Sequence, residues 1–179
     1  LDPNGVNNSG GSFFIIFLAP VIGIFWIWLN KKKIEPNTVI KFGLGFLFLG
    51  LGYYCLFGTR WFATLAGVTS LNFFTLALLV ITLGELCLSP IGLSIMTKLS
   101  TKNLQGMMMG MWFLASAYGQ YVAGQIGAGM AEVKQGATNY NALLTYTDGY
   151  KQLAIYAVIA GIVLIALSPV MKKLMQEVK

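Results

Sequence analysis

SLNFFTLALLVITLGELCLSPIGLSIMTKL, Ser70 to Leu99, decides how this chain folds. Across 30 residues it carries only two charged side chains, Glu85 near its centre and Lys98 at its end. A bilayer hydrocarbon core about 30 Å thick is crossed by roughly 20 apolar residues in helical form. The stretch is therefore a membrane span with residues to spare. As a straight helix it would reach roughly 45 Å, so it must tilt, bend or project beyond the lipid. Pro90 removes one backbone hydrogen bond, at the Leu86 carbonyl, and bends the helix there.

Working outward, four more apolar stretches qualify: 12–29, 39–57, 104–133 and 153–171. The first contains Pro20, which bends it, and stops at Lys31, Lys32 and Lys33. The last stops at Lys172 and Lys173. Together with 70–99 they predict an all-α integral membrane protein with five transmembrane helices in one bundle over residues 1–179. Composition agrees. Of 179 residues 56% are hydrophobic and 10% charged, with a mean hydropathy of +0.71, whereas a soluble domain carries about 25% charged residues. So few charges cannot clothe a soluble globule. A soluble enzyme, a nucleic-acid binder and a secreted disulfide scaffold are excluded.

The net charge of +6 comes from 12 Lys/Arg against 6 Asp/Glu, dispersed in short loops rather than gathered on a nucleic-acid face. Lys31, Lys32, Lys33, Lys41, Lys98, Lys102, Lys172, Lys173 and Lys179 fall on one side of the five spans. Arg60, Lys134 and Lys151 fall on the other. This bias predicts a cytoplasmic C-terminus and an external start. Five spans beginning outside, at Leu1 rather than Met, read as part of a longer chain. Cys55 and Cys87 lie in apolar runs and read as packing residues. There is no Walker A sequence, no His/Cys cluster and no TVGYG filter loop, so neither an ATP-driven pump, a metal or haem centre nor a potassium channel is expected. No enzyme activity, cofactor or metal is expected either.

Glu85 is the one ionisable residue deep inside a span. A carboxylate near the bilayer midplane costs on the order of 3 kcal/mol, so it should face a water-filled cavity or a partner. Its charge there can respond both to a proton and to a cation. Ser89 and Pro90 follow directly, and a bend at Pro90 can open and close one end of a cavity. In 104–133, Trp112 and Ser116 are four apart and share a helix face, with Phe113 beside them. Ala115, Gly119, Ala123, Gly127 and Ala131 make a stripe of small residues that predicts close packing by a neighbouring helix. Gly106 and Gly110 add a GxxxG at that helix's start.

The run GELCLSPIGLSIMTKLS, Gly84 to Ser100, closely resembles the signature of the proton-dependent oligopeptide transporter family, within the major facilitator superfamily. QGMMMGMWFLASAYGQYVAG, Gln105 to Gly124, resembles that family's next helix, and FFIIFLAP (13–20) and KFGLGFLFLGLG (41–52) resemble the two that precede. The resemblance covers nearly the whole chain. It implies helices eight to twelve of a twelve-helix carrier, hence most of the C-terminal six-helix bundle, and proton-coupled symport of di- and tripeptides across the plasma membrane. The proton is the coupling ion, and the partners implied are small peptides, lipid and the seven upstream helices with their ExxER motif. By resemblance Glu85 binds the peptide's amino terminus, Trp112 and Phe113 line a side-chain pocket, and Ser116 lies beside them. Ser89, Pro90, Gly106 and Gly110 are expected in gating. One position departs from the family: Gly11 stands where an Asn is usual, with Asn7 and Asn8 slightly earlier. Two other readings stay open, a facilitator-superfamily carrier of another small solute and a non-transporting scaffold in which Glu85 is a structural clasp.

Overall fold

The computed structural model describes residues 3–64, 69–131 and 139–174, and these are helical apart from short connections. The elements are α1 (Pro3–Lys31), α2 (Thr38–Gly58) with a 3₁₀ turn at Thr59–Phe62, α3 (Leu71–Leu99), α4 (Gln105–Ala131) and α5 (Asn139–Leu174). Among the described residues four helices are long and apolar enough to cross a membrane: 10–31, 38–62, 71–98 and 140–173. α4 is long enough, with 27 residues, but less apolar. Its glycines, Ser116 and the amides Gln120 and Gln125 dilute the hydrocarbon.

Helix ends differ from the expected spans where polar residues continue a helix. α5 begins at Asn139, not near 153, because a helix can run past the lipid and solvate Asn141, Thr145, Asp148 and Lys151 in water. α1 likewise begins at Pro3, well before Ser12, and so includes Asn7, Asn8 and Gly11. The far end of the predicted span 104–133, like Lys134 and Lys179, lies outside the described residues. α1, α3 and α5 run on through Pro20, Pro90 and Pro169 respectively.

The core is a sandwich with α2 in the middle, antiparallel to α3 on one side and to α5 on the other. Four glycines of α2 make this possible. Gly43 and Gly50, seven residues apart, face α5: a Cβ on Gly43 would lie 3.1 Å from the Gly161 carbonyl, and one on Gly50 3.1 Å from the Ala154 carbonyl. Gly45 and Gly52, again seven apart but on the opposite face, meet α3 at the Gly84 carbonyl (3.1 Å) and the Ile81 nitrogen (3.0 Å). The notches are reciprocal, since a Cβ on Gly84 would sit 2.8 Å from the Gly45 carbonyl and one on Gly161 2.9 Å from the Gly43 carbonyl. Lipid tails are as apolar as leucine, so helices associate in a bilayer through this kind of close backbone approach. Thr82 and Thr147, buried beside the seams, return their hydroxyl protons to the Leu78 and Leu143 carbonyls at 2.9 Å.

By contrast, the stripe on α4 has no such neighbour. A Cβ on Gly119, Gly124 or Gly127 would meet no atom within 4 Å. No described helix approaches this stripe at backbone distance; among the described residues the tight contacts join α2 to α3 and α5, through Gly43, Gly45, Gly50 and Gly52 and the reciprocal Gly84 and Gly161.

Charged groups gather at the two ends of the sandwich. At one end the Glu35 carboxylate accepts hydrogen bonds from Lys41 and from Asn30. At the other, Arg60 donates to Asp148 at 2.9 Å and its guanidinium lies 5.0 Å from the Phe57 ring. α1 closes at the first end with Lys33 in the left-handed region (φ 57°). The Ile34 amide bonds back to Leu29 (3.1 Å) and the Lys33 amide to Asn30 (2.9 Å). This is the helix-ending arrangement that glycine usually supplies. Lys33→Gly should therefore raise stability by up to about 1 kcal/mol, seen as a higher thermal midpoint; a lower midpoint would contradict that account of the turn.

Candidate functional site

Glu85 is the central residue of α3, which runs Leu71–Leu99. Its neighbours Gly84, against α2, and Cys87 are buried, yet Glu85 itself is exposed. The helical turn explains this: Gly84 faces α2 and places the next side chain about 100° away. The carboxylate is neither sealed among side chains nor paired by a cation among the described residues. On its flank it comes within electrostatic reach of Tyr53 of α2.

Seven residues on from Glu85, on the same face of α3, Gly92 receives the ring of Trp112. A Cβ on Gly92 would run into that ring. Trp112 also stands edge-on to Phe42 of α2, with centroids 6.3 Å apart. The indole thus crosses from α4 onto α3 and α2 and floors the strip on which Ser89 and Glu85 are exposed, with Glu85 roughly 10 Å higher along the axis. Ser116, one turn further along α4, is exposed and donates to the Trp112 carbonyl at 3.0 Å. Phe113 points elsewhere and is 60% exposed. The structure therefore brings Glu85, Ser89, Trp112 and Ser116 to one side, with Phe113 apart from them.

Pro90 lies away from the Glu85 strip, lining a polar cavity between the start of α2 and α3. Gly106 and Gly110 sit near the start of α4, where no atom of a described neighbour approaches within 4 Å of a Cβ position. That helix start is tied to α3 by Gln105, which donates to the Thr97 carbonyl at 3.3 Å. Gly11, inside α1, also has open space beside it.

Spacing alone did not reveal a second feature. Between α2, α4 and α5 lies a cavity of about 410 Å³ walled by Tyr53, Tyr146 and Tyr150, with Gly119, Ala123 and Gly127 opposite. Tyr53 and Tyr150 stack with centroids 6.3 Å apart. The small-residue stripe of α4 thus makes room instead of contact. Three phenols on two helices were the available signal, but nothing in the order of residues says that α2 and α5 stand side by side. Among the described residues no group of three or more His, Cys, Asp or Glu side chains is placed to hold a metal.

A multi-pass membrane protein of the major facilitator fold is the class that these apolar helices and their arrangement define. The model of the POT family matches residues 10–143, and the chain belongs to that family. It is 40% identical over 121 residues to the peptide transporter YePEPT of Yersinia enterocolitica subsp. palearctica, covering 66% of this chain and 24% of that protein. It is 31% identical to the di-/tripeptide transporter of Lactococcus lactis subsp. lactis, covering 93% of this chain and 31% of that one. Among solved structures it superposes on the peptide transporter POT in complex with sulfate with a TM-score of 0.76 and 32% identity, over 93% of this chain and 31% of that chain. The chain thus spans about a quarter to a third of the length of the relatives it matches.

Proposed function

We propose that this chain forms the C-terminal part of a proton-coupled symporter of di- and tripeptides, working by alternating access. The observation that carries this reading is the exposed carboxylate of Glu85 at the midpoint of an apolar helix. Such a group is retained at a cost in lipid only when something positive meets it there. A peptide's ammonium group suits it, and the names of the relatives support peptides as the solute. Trp112 offers a rigid floor below the ammonium site, Ser116 a hydroxyl beside it, and Phe113 an aromatic surface toward the upstream helices. Ser89 and Pro90, with Gly106 and Gly110 across the turn, supply the give needed for one end of the cavity to open. The coupling ion is a proton, no other cofactor is needed, and the upstream helices supply the rest of the proton path. The lysine-bearing end is cytoplasmic and the membrane is the plasma membrane.

Gly11 favours a second reading, a carrier of some other small solute, since the family's Asn is absent at that place. Uptake of labelled dialanine into liposomes holding the full-length protein separates the two. Peptide uptake should rise with an inwardly directed proton gradient, collapse with a protonophore and be competed by unlabelled di- and tripeptides. Uptake that no peptide competes would overturn the peptide assignment.

A further inference from the structure

At the lysine-bearing end, a cavity of about 350 Å³ lies between the start of α2 and the last turns of α3. Lys41, Lys98, Ser94 and Asn37 line it, together with Glu35, Pro36, Thr38 and the apolar Pro90 and Ile91. Glu35 is the one carboxylate in its wall. Both its oxygens are already engaged, one by Lys41 and the other by Asn30, and these bonds hold its carboxyl below the usual glutamate range. It remains ionised and offsets Lys41, so the balance of formal charge around the cavity is positive through Lys98.

Two further features favour an acceptor-rich ligand. The Asn37 side-chain nitrogen is buried and has no hydrogen-bond partner. A buried donor left unmade costs about 1–3 kcal/mol, which an acceptor in the cavity recovers once the Asn37 side chain turns toward it. Asn37 also precedes α2 without capping it by its side chain, so the positive end of a 21-residue helix opens toward the cavity wall. Lysines, an unpaired amide, a hydroxyl and a helix start are together the donor set of a phosphate site. The cavity sits where α1 and α3 both reach their basic ends, level with the headgroups of a bilayer.

We propose that this cavity binds a phosphate group, with Lys98 as its principal cation and Asn37 and Ser94 as neutral donors. The phosphate comes from an anionic phospholipid of the adjoining leaflet or from the aqueous phase. The proposal does not depend on which solute is carried, because the test reads binding rather than uptake. The full-length protein in detergent is titrated with phosphatidylglycerol, with phosphatidylcholine and with inorganic phosphate, following its thermal midpoint and the lipid retained in native mass spectra. A rise with phosphatidylglycerol but not phosphatidylcholine, weakened about fivefold by Lys98→Gln and kept by Lys102→Gln, identifies the lipid. The same dependence on Lys98 with inorganic phosphate alone identifies the free ion. Should Lys98→Gln lose its fold, Ser94→Ala gives the same comparison, with binding again weakened about fivefold. No response to either phosphate source, or a response that neither substitution changes, overturns the proposal.

Discussion

Glu85→Gln in the full-length protein should lower peptide uptake about 100-fold, the effect expected on removing one charge from a desolvated ammonium–carboxylate pair. The amide fills nearly the same space at an exposed position, so α3 and its seam with α2, made at Gly84 and Ile81, are undisturbed. The loss should therefore appear in uptake and not in the thermal midpoint. Glu85→Asp keeps the charge but withdraws it by one methylene, and should retain part of the activity. Wild-type uptake by Glu85→Gln would mean that the ammonium is held elsewhere and that the central carboxylate is structural.

The second large effect is on assembly. Gly161→Val should destabilise the protein by about 3 kcal/mol, read as a fall in thermal midpoint of the purified protein. The added Cβ would stand 2.9 Å from the Gly43 carbonyl and 2.9 Å from Leu47 Cδ2. A side chain such as Leu47 can swing away, but the carbonyl belongs to α2, and α2 is pinned from behind by Gly84 and Ile81 of α3. The crowding cannot be absorbed on one face without opening the other. Gly161→Ala, with a single methyl, should fall between wild type and valine. An unchanged midpoint for valine would show that α5 is free to move away from α2.

Particular residues show what the order of amino acids can disclose. Glu85 was legible because a single charge in an apolar helix has few physical explanations. The joint placement of Trp112 and Ser116 followed from their four-residue spacing. Three things were not legible. The glycines of α2 alternate between two faces, so a search for four-residue spacing passes over two interleaved seven-residue series. The α4 stripe had that four-residue spacing yet, among the described residues, meets no helix at backbone distance, because periodicity names a face without naming what covers it. The start of α5 was hidden by Asn141, Asp148 and Lys151, which read as a loop although helix and lipid need not end together. The contact of Trp112 with Gly92 belongs to the same kind, since it joins two helices whose relative height depends on the turn between them.

The seven-residue notches of α2 also bear on how such a bundle comes together in the first place. Where glycine meets a carbonyl, the glycine itself has no rotamer to freeze as two helices dock, so less side-chain entropy is surrendered than at a seam of large residues on both sides. Dispersion at short range is then enough to hold α2, α3 and α5 in register, in a solvent that offers greasy surfaces no incentive to cluster.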